Sequence, residues 1–337
     1  MKNYLQRLLG KKTPATKKSV SLAVERLDDR IVLSSTGAMG DSLVSAVSWN
    51  NGVTDYFARN QYGEVRVYSS NGLLNQHVDY NVVHMDAGHD WNGANVLYEI
   101  KTDGNLYLNY LNGAAPTRLT SGGNVTQITG SYIDGNCWYV QNGNVYEYTR
   151  QSYISLLGGR FFRPETVQVT GFGGGIENIS AGTDASNHDV LYIQGSQVLW
   201  EYSATNTSTP QGLIGFNFGK VLGGMWGTFY ADGVIGSGTT YQFTGQVSDY
   251  LTVGFTGATS SNPYGSSVEY GLDFGPTYNG YYGIYKGSSD QVWLKEDVSN
   301  RPTNFVGGGN DGFAELFDGS LWIYTPADGW VRRDGGY

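Results

Sequence analysis

At 337 residues the chain is long enough to bury a large core in one or two domains. Its 49 Gly, 26 Tyr, 13 Phe and 8 Trp, set against 15% charged residues, exclude a helical body: glycine and aromatics are poor helix formers but suit tight turns and pleated strands. Of the 21 basic and 30 acidic residues, residues 1–30 hold eight and three, leaving 13 and 27 for the rest, so the body is acidic and nucleic acid is excluded as its partner.

Residues 1–38 differ from everything after them. They are basic, then mixed, then small and polar, and lack the apolar stretch of an ordinary secretory signal. Leu22, Glu25, Leu27, Arg30 and Leu33, followed by Ser34 and Ser35, form the pattern Leu-x-x-Glu-x-Leu-x-x-Arg-x-x-Leu. It resembles an N-terminal segment shared by many secreted and surface proteins of certain bacteria. The resemblance implies a bacterial protein, secreted or held at the cell surface. It makes residues 1–38 an export or targeting segment, expected to be disordered, and residues 39–337 a single domain. The alternative is a short amphipathic helix belonging to the fold. No apolar run approaches the ~18 residues of a membrane span.

From residue 65 onward one short strand recurs. Val65-Arg66-Val67-Tyr68, Leu106-Tyr107-Leu108-Asn109, Val145-Tyr146-Glu147-Tyr148, Leu199-Trp200-Glu201-Tyr202, Thr240-Tyr241-Gln242-Phe243, Val292-Trp293-Leu294-Lys295 and Leu321-Trp322-Ile323-Tyr324 make seven copies. Gly63, Gly104, Gly143 and Gly319 each lie three residues before the Arg, Tyr or Trp position, and an apolar run precedes each turn, which predicts an antiparallel hairpin per unit. Earlier in the units come Val82-x-x-Met85-x-x-Gly88, Val125-x-x-Ile128-x-Gly130, Ile176-x-x-Ile179-x-x-Gly182 and Phe218-x-x-Val221-x-x-Gly224, a first strand; "APTRLT", "PQGLIG" and "GWVRR" supply a fourth.

The predicted fold is therefore all-β: a β-propeller of seven blades with four antiparallel strands each, six blades being the alternative. Successive strand residues face opposite sides, so Tyr146 and Tyr148 share one face and Val145 and Glu147 the other. A lone blade cannot bury both faces; stacked blades can. Residues 149–175 and 244–267 read as long surface loops between hairpins. Cys137, the only cysteine, excludes an intrachain disulfide and reads as a buried, inert thiol.

The run from Val82 to Tyr110 and that from Ile176 to Tyr202 resemble tectonin-type repeats: an aliphatic strand ending near Gly, a variable loop, an apolar strand, a Gly turn and an aromatic strand. Fucose-binding seven-bladed bacterial lectins share a similar unit. The resemblance spans about residues 43–337 and implies glycan pockets between or atop blades; it transfers no binding residue.

The residues themselves offer little chemistry. His84, Asp86, His89 and Asp90 cluster in "HMDAGHDW" without zinc-site spacing, so no metal is expected. "GGGNDG", residues 307–312, satisfies G-x-G-x-x-G but precedes a strand rather than a helix, so no cofactor is expected. "SSDQVW" resembles the Asp-box of sialidase propellers without its glycine. No catalytic residue stands out, and the reading is of a non-enzymatic exported binding module. Trp49, Trp91 and Trp226 lie beside Asn, Asp or Gly near turns, where an indole can floor a sugar and polar neighbours can bond its hydroxyls. Trp91 with Asp90 and Asn92 is the leading candidate site. The expected partner is a glycan, or alternatively an envelope protein bound by a structural propeller; a polysaccharide hydrolase or lyase is the third reading.

Overall fold

The computed structural model describes residues 44–48, 54–59, 62–69, 75–131, 133–154, 160–172, 175–186, 188–195 and 198–203, and beyond these a series of strands up to Arg332. Those residues form antiparallel β-sheets. The first sheet holds β1 (Val44–Ser48), β2 (Thr54–Arg59), β3 (Val65–Ser69) and β4 (Asn75–Asp79). The second holds β5 (Val82–His89), β6 (Asn95–Lys101), β7 (Leu106–Asn109) and β8 (Thr117–Arg118). The third holds β9 (Val125–Gly130), β10 (Cys137–Gln141), β11 (Asn144–Ile154) and β12 (Arg160–Gln168). The fourth holds β13 (Ile176–Thr183), β14 (Asp189–Gly195), β15 (Leu199–Tyr202) and β16 (Gln211–Leu213). The fifth holds β17 (Val221–Gly223), β18 (Thr228–Asp232), β19 (Thr240–Thr244) and β20 (Gln246–Val253). In all five, neighbours in the sheet are neighbours in the chain.

The sixth sheet departs from this order. It holds β21 (Ser260–Ser261), β22 (Gly271–Pro276), β23 (Tyr282–Ser288) and β24 (Gln291–Asp297), arranged β21-β24-β23-β22. The place that the last strand fills elsewhere is taken by an earlier piece of chain. The described part of the seventh is three-stranded, β25 (Phe313–Glu315), β26 (Leu321–Thr325) and β27 (Gly329–Arg332).

The recurring aromatic strand is β3, β7, β11, β15 and β19 of the first five sheets, where it is the third strand each time. Its turn residue is legible in Gly63, which joins β2 to β3 at φ +78°. A Cβ there would meet Val82 O at 2.9 Å, because the Gly63 carbonyl itself accepts the Val82 N–H at 3.0 Å. The stretches expected as surface loops, 149–175 and 244–267, contain strands instead. β11 runs on past Tyr148, where β10 stops, and pairs with β12 from Tyr146↔Gln168 to Ile154↔Arg160. The second stretch contains β20 and β21. Turn-forming neighbours hid these strands: Gly158 and Gly159 precede β12, which itself contains Pro164, and Gly254 and Gly257 follow β20.

Both faces of the second sheet are core. On one side Met85, Ala87 and Leu97 pack against Phe57, Val65 and Val67 of the first sheet. On the other, Val96, Tyr98, Ile100, Leu106 and Leu108 pack against Val125, Ile128, Cys137, Tyr139 and Tyr148 of the third. Tyr146 joins the same cluster, so Tyr146 and Tyr148 do share the face turned to the second sheet. Tyr192 of the fourth sheet meets Phe229 of the fifth at 4.9 Å between ring centroids. Burying each such ring contributes about 1.5–3 kcal/mol.

First strands touch in succession: β1 with β5, β5 with β9, β9 with β13, β13 with β17, β17 with β22, and β25 with β1. A repeated hydrogen bond sews part of this propeller-like series. After a buried apolar residue (Met85, Ile128, Ile179) comes a side-chain acceptor. Asp86 Oδ2 accepts the Gly130 N–H at 2.8 Å, Thr129 Oγ1 the Ala181 N–H at 3.0 Å, and Ser180 Oγ the Gly223 N–H at 2.8 Å. The approach is close enough that a Cβ on Gly130 would sit 2.9 Å from Ala87 O.

Candidate functional site

The first loop of the second, third and fourth sheets is closed by one device. In the loop between β5 and β6, Asp90 Oδ1 accepts the N–H groups of Asn92 and Ala94 at 2.8 and 2.9 Å. Between β9 and β10, Ser131 Oγ accepts those of Ile133 and Gly135 at 3.2 and 2.8 Å. Between β13 and β14, Asp184 Oδ1 accepts those of Ser186 and His188 at 2.8 and 2.9 Å. Short polar side chains that bond the backbone two and four residues on stabilise such turns without help from the sheet. Asp90 is thereby buried, and Asn92 Nδ2 adds a further bond to its Oδ2 at 3.3 Å. Asp90 and Asn92 build the loop.

What the loop presents is Trp91. The indole packs on Tyr148 of the neighbouring sheet, with ring centroids 5.5 Å apart and planes tilted by 32°. Arg150, two residues further along the same face of β11, holds its guanidinium 5.9 Å from the Trp91 ring centre. A Cβ on Gly135 would collide with the Trp91 backbone, so the two loops interlock. The Trp91 Nε1 is buried and makes no hydrogen bond. Tyr110, just past β7, is 40% exposed, and burial and then the Asp90 charge push its phenol above the usual tyrosine range. Burial pushes Tyr148 up to about 12, with Tyr110 adding to it. Both phenols therefore stay protonated and able to donate. The result is a joint between second and third sheets formed by an indole, two phenols and a guanidinium. Such a set can stack on the apolar face of a ring and bond its polar edge.

Trp49 and Trp226 lie outside the described residues. Tyr110, Tyr148 and Arg150 were not singled out from sequence. Alternation places Tyr148 in the core, where much of it lies, and Arg150 at the edge of an expected loop. The one available signal was the recurrent aromatic strand continuing into Arg150 without a turn residue between.

The other polar clusters serve the joints between sheets. Asp86 and His89, from the His- and Asp-rich run, are buried, and the His89 N–H donates to Ser131 O at 3.2 Å. Among the described residues no three His, Cys, Asp or Glu side chains come together as a metal ligand set. Asp189 binds the loop of the third sheet: it accepts hydrogen bonds from the Ser131 hydroxyl and from the Asp134 and Ile133 N–H groups, the latter two at 2.6 and 3.2 Å. Burial lifts its carboxyl to about 7 against those donors. At the opposite end of the sheets Lys101 Nζ lies 2.7 Å from Asp79 Oδ2, and Glu99 hydrogen-bonds Asp79.

No family model and no curated protein matches the chain. Among solved structures it is similar to virginiamycin B lyase from Staphylococcus aureus, with 10% identity over 86% of this chain and 94% of that one and a TM-score of 0.43. The SapL1 lectin in complex with alpha methyl fucoside is similar at 12% identity, covering 86% and 95%, with a TM-score of 0.45. YCF48 from Cyanidioschyzon merolae is similar at 12% identity, covering 73% and 80%, with a TM-score of 0.43. At such identities and scores none of them bears on what this chain binds or does.

Proposed function

We propose that the chain is an exported bacterial β-propeller, secreted or displayed at the cell surface, that binds carbohydrate without transforming it. Seven sheets in succession support seven blades over six. The observation that carries the ligand class is Trp91 set on Tyr148, with Arg150 and the exposed Tyr110 beside it. Residues 1–38 act as the export segment on this reading, and residues 39–337 as the propeller.

The test is a glycan array probed with the purified chain and with Trp91→Ala. Binding lost in the variant supports the reading; absence of binding to every glycan rejects it. A second reading, attachment to an envelope protein, is favoured by Tyr62 and Tyr80, 80% and 57% exposed at adjoining turns of the opposite rim. Recovery of one envelope protein by the intact chain, and not by a Tyr62→Ala/Tyr80→Ala variant, would support it.

A further inference from the structure

We infer that Asp189, in the fourth sheet, is a positioning residue for the Trp91 site of the second sheet, and that its protonation state sets how firmly the indole is seated; what this does for binding rests on the carbohydrate reading above. The loop between β9 and β10 is the intermediary. On one side it seats Trp91: a Cβ on Gly135 would meet Trp91 N at 2.5 Å and Cδ1 at 2.6 Å, and Ser131 O accepts the His89 N–H at 3.2 Å. On the other side Asp189 grips it. The carboxylate accepts the Ser131 hydroxyl and the Asp134 N–H on Oδ2, the latter at 2.6 Å, and the Ile133 N–H on Oδ1 at 3.2 Å. Asp134 Oδ2 returns the bond by accepting the Asp189 N–H at 3.1 Å. Ser131 thus touches both neighbouring sheets, the fourth through its hydroxyl and the second through its carbonyl.

The sister sheets build the same position without a carboxyl. Asp189 stands five residues after Asp184, and the residues five after Asp90 and Ser131 are Asn95 and Asn136. All three are buried, and both amides also bond outside their own strand. Asn95 Nδ2 donates to Asp55 Oδ2 of the first sheet at 2.9 Å, and Asn136 Oδ1 accepts the Thr149 hydroxyl at 2.9 Å. Of the three, Asp189 alone can change charge. Burial lifts it to about 7 against the pull of its donors, and the Asp134 charge adds to the rise. A carboxylate accepts hydrogen bonds about twice as strongly as a neutral acceptor, so a proton on either oxygen weakens the grip on the loop. Ser131 Oγ offers no refuge for that proton, since it already accepts the Ile133 and Gly135 N–H groups. The other ionisable groups nearby belong to three elements. Glu147 of β11 lies in the same joint, is raised by Asp134 as well, and accepts the Tyr202 hydroxyl of β15. In the loop before β14, His188 Nδ1 lies 3.4 Å from Asp184 Oδ2. His89 and Asp90 stand on the far side of the gripped loop.

Nuclear magnetic resonance of the full chain, with the indole nitrogens isotope-labelled, tests this without any ligand. The Trp91 resonance is identified by its absence from Trp91→Phe. On passing from acid to alkaline pH it should move with a midpoint at about 7, and in Asp189→Asn that movement should vanish. Because histidine side chains change charge in the same range, the variant rather than the midpoint assigns the group. A Trp91 resonance that stays still in the parent, or that keeps the same midpoint in Asp189→Asn, overturns the inference. Should Asp189→Asn fail to fold, Asp134→Asn takes its place: it keeps an acceptor oxygen and removes a charge that raises Asp189. A lowered midpoint in that variant upholds the inference and an unmoved one overturns it. The glycan array, read below and above that midpoint, then tests the consequence. Trp91-dependent binding by the parent should be about fivefold tighter at the higher pH, the worth of one hydrogen bond, and the same at both in Asp189→Asn. Equal parental binding at both would remove Asp189 from the working of the site. If no glycan binds while the Trp91 resonance still titrates through Asp189, the carbohydrate reading falls and the coupling between the two residues stands.

Discussion

Glu99 hydrogen-bonds Asp79 across the boundary between the second and first sheets, and Lys101 Nζ stands 2.7 Å from Asp79 Oδ2. Two carboxyl groups can bond directly only if one keeps its proton. Burial, then Asp79, lifts Glu99 to about 9, whereas Asp79 stays below its usual range despite its own burial because Glu99 and Lys101 bond it. Glu99 occupies a core position: by register with Tyr107 it is the counterpart of Tyr139 opposite Tyr146 and of Ile193 opposite Trp200.

The sign of the pH dependence follows. A carboxyl raised in the folded state contributes stability in full below its unfolded value of 4.5, and that contribution is lost as pH rises towards about 9. The slope is at most about 1.4 kcal/mol per pH unit. Asp79 acts oppositely, and its contribution fades only as pH falls below 3.8. Glu99→Gln keeps a donor for Asp79 and removes the titration. Its melting temperature should fall less than the parent's between pH 5 and about 9, read by calorimetry. Parallel curves for parent and variant would show that Glu99 does not hold this proton.

Close approach of the first strands makes a second expectation. Gly130→Ala puts a Cβ 2.9 Å from Ala87 O, so one strand must move. The cost should be about 1–3 kcal/mol, as for overpacking in a core. Gly175→Ala meets nothing within 4 Å and should be close to neutral. Denaturant unfolding of the two variants side by side checks this.

Thr129→Val separates the hydrogen bond from the packing. The change preserves shape but removes the acceptor of the Ala181 N–H, in a place where Thr129 is 1% exposed. A buried donor left unpaired costs about 1–3 kcal/mol. Faster amide exchange at Ala181 than at Gly130, whose acceptor Asp86 is intact, should accompany the loss.

These examples show what the chain reveals before folding. The alternation in Val145-Tyr146-Glu147-Tyr148 is a local property, and it placed Tyr146 and Tyr148 on the face that packs on the second sheet. The turn at Gly63 was equally local. Glu99 sits in the apolar run before the Gly104 turn, and nothing local marks it because its partner Asp79 comes from another unit. Asp90 and Asn92 had the right chemistry for a ligand or for a turn, and only the loop geometry shows that they bond each other. The meeting of Trp91 with Tyr148 depends on how two sheets stack, which no periodicity within either sheet encodes.

The joint between the third and fourth sheets offers the strongest separation of a contact from its surroundings. Tyr202 donates its hydroxyl to Glu147 Oε2 at 2.8 Å, and both groups are buried. Burial raises Glu147 to about 6, and the Tyr202 hydrogen bond holds it down from a higher value. Tyr202→Phe removes that donor, so the folded-state value rises further. The added penalty is absent below the unfolded value of 4.5, where Glu147 is protonated in both states, and grows as pH rises through 6. The variant should therefore lose more stability at pH 8 than at pH 4.5, by about 1–3 kcal/mol. Glu147→Gln carries no charge to strand, so in that background Tyr202→Phe should cost nearly the same at both pH values. A double-mutant cycle by denaturant unfolding at the two pH values isolates the pair; a pH-independent coupling would mean that Glu147 is neutral in the folded protein throughout this range.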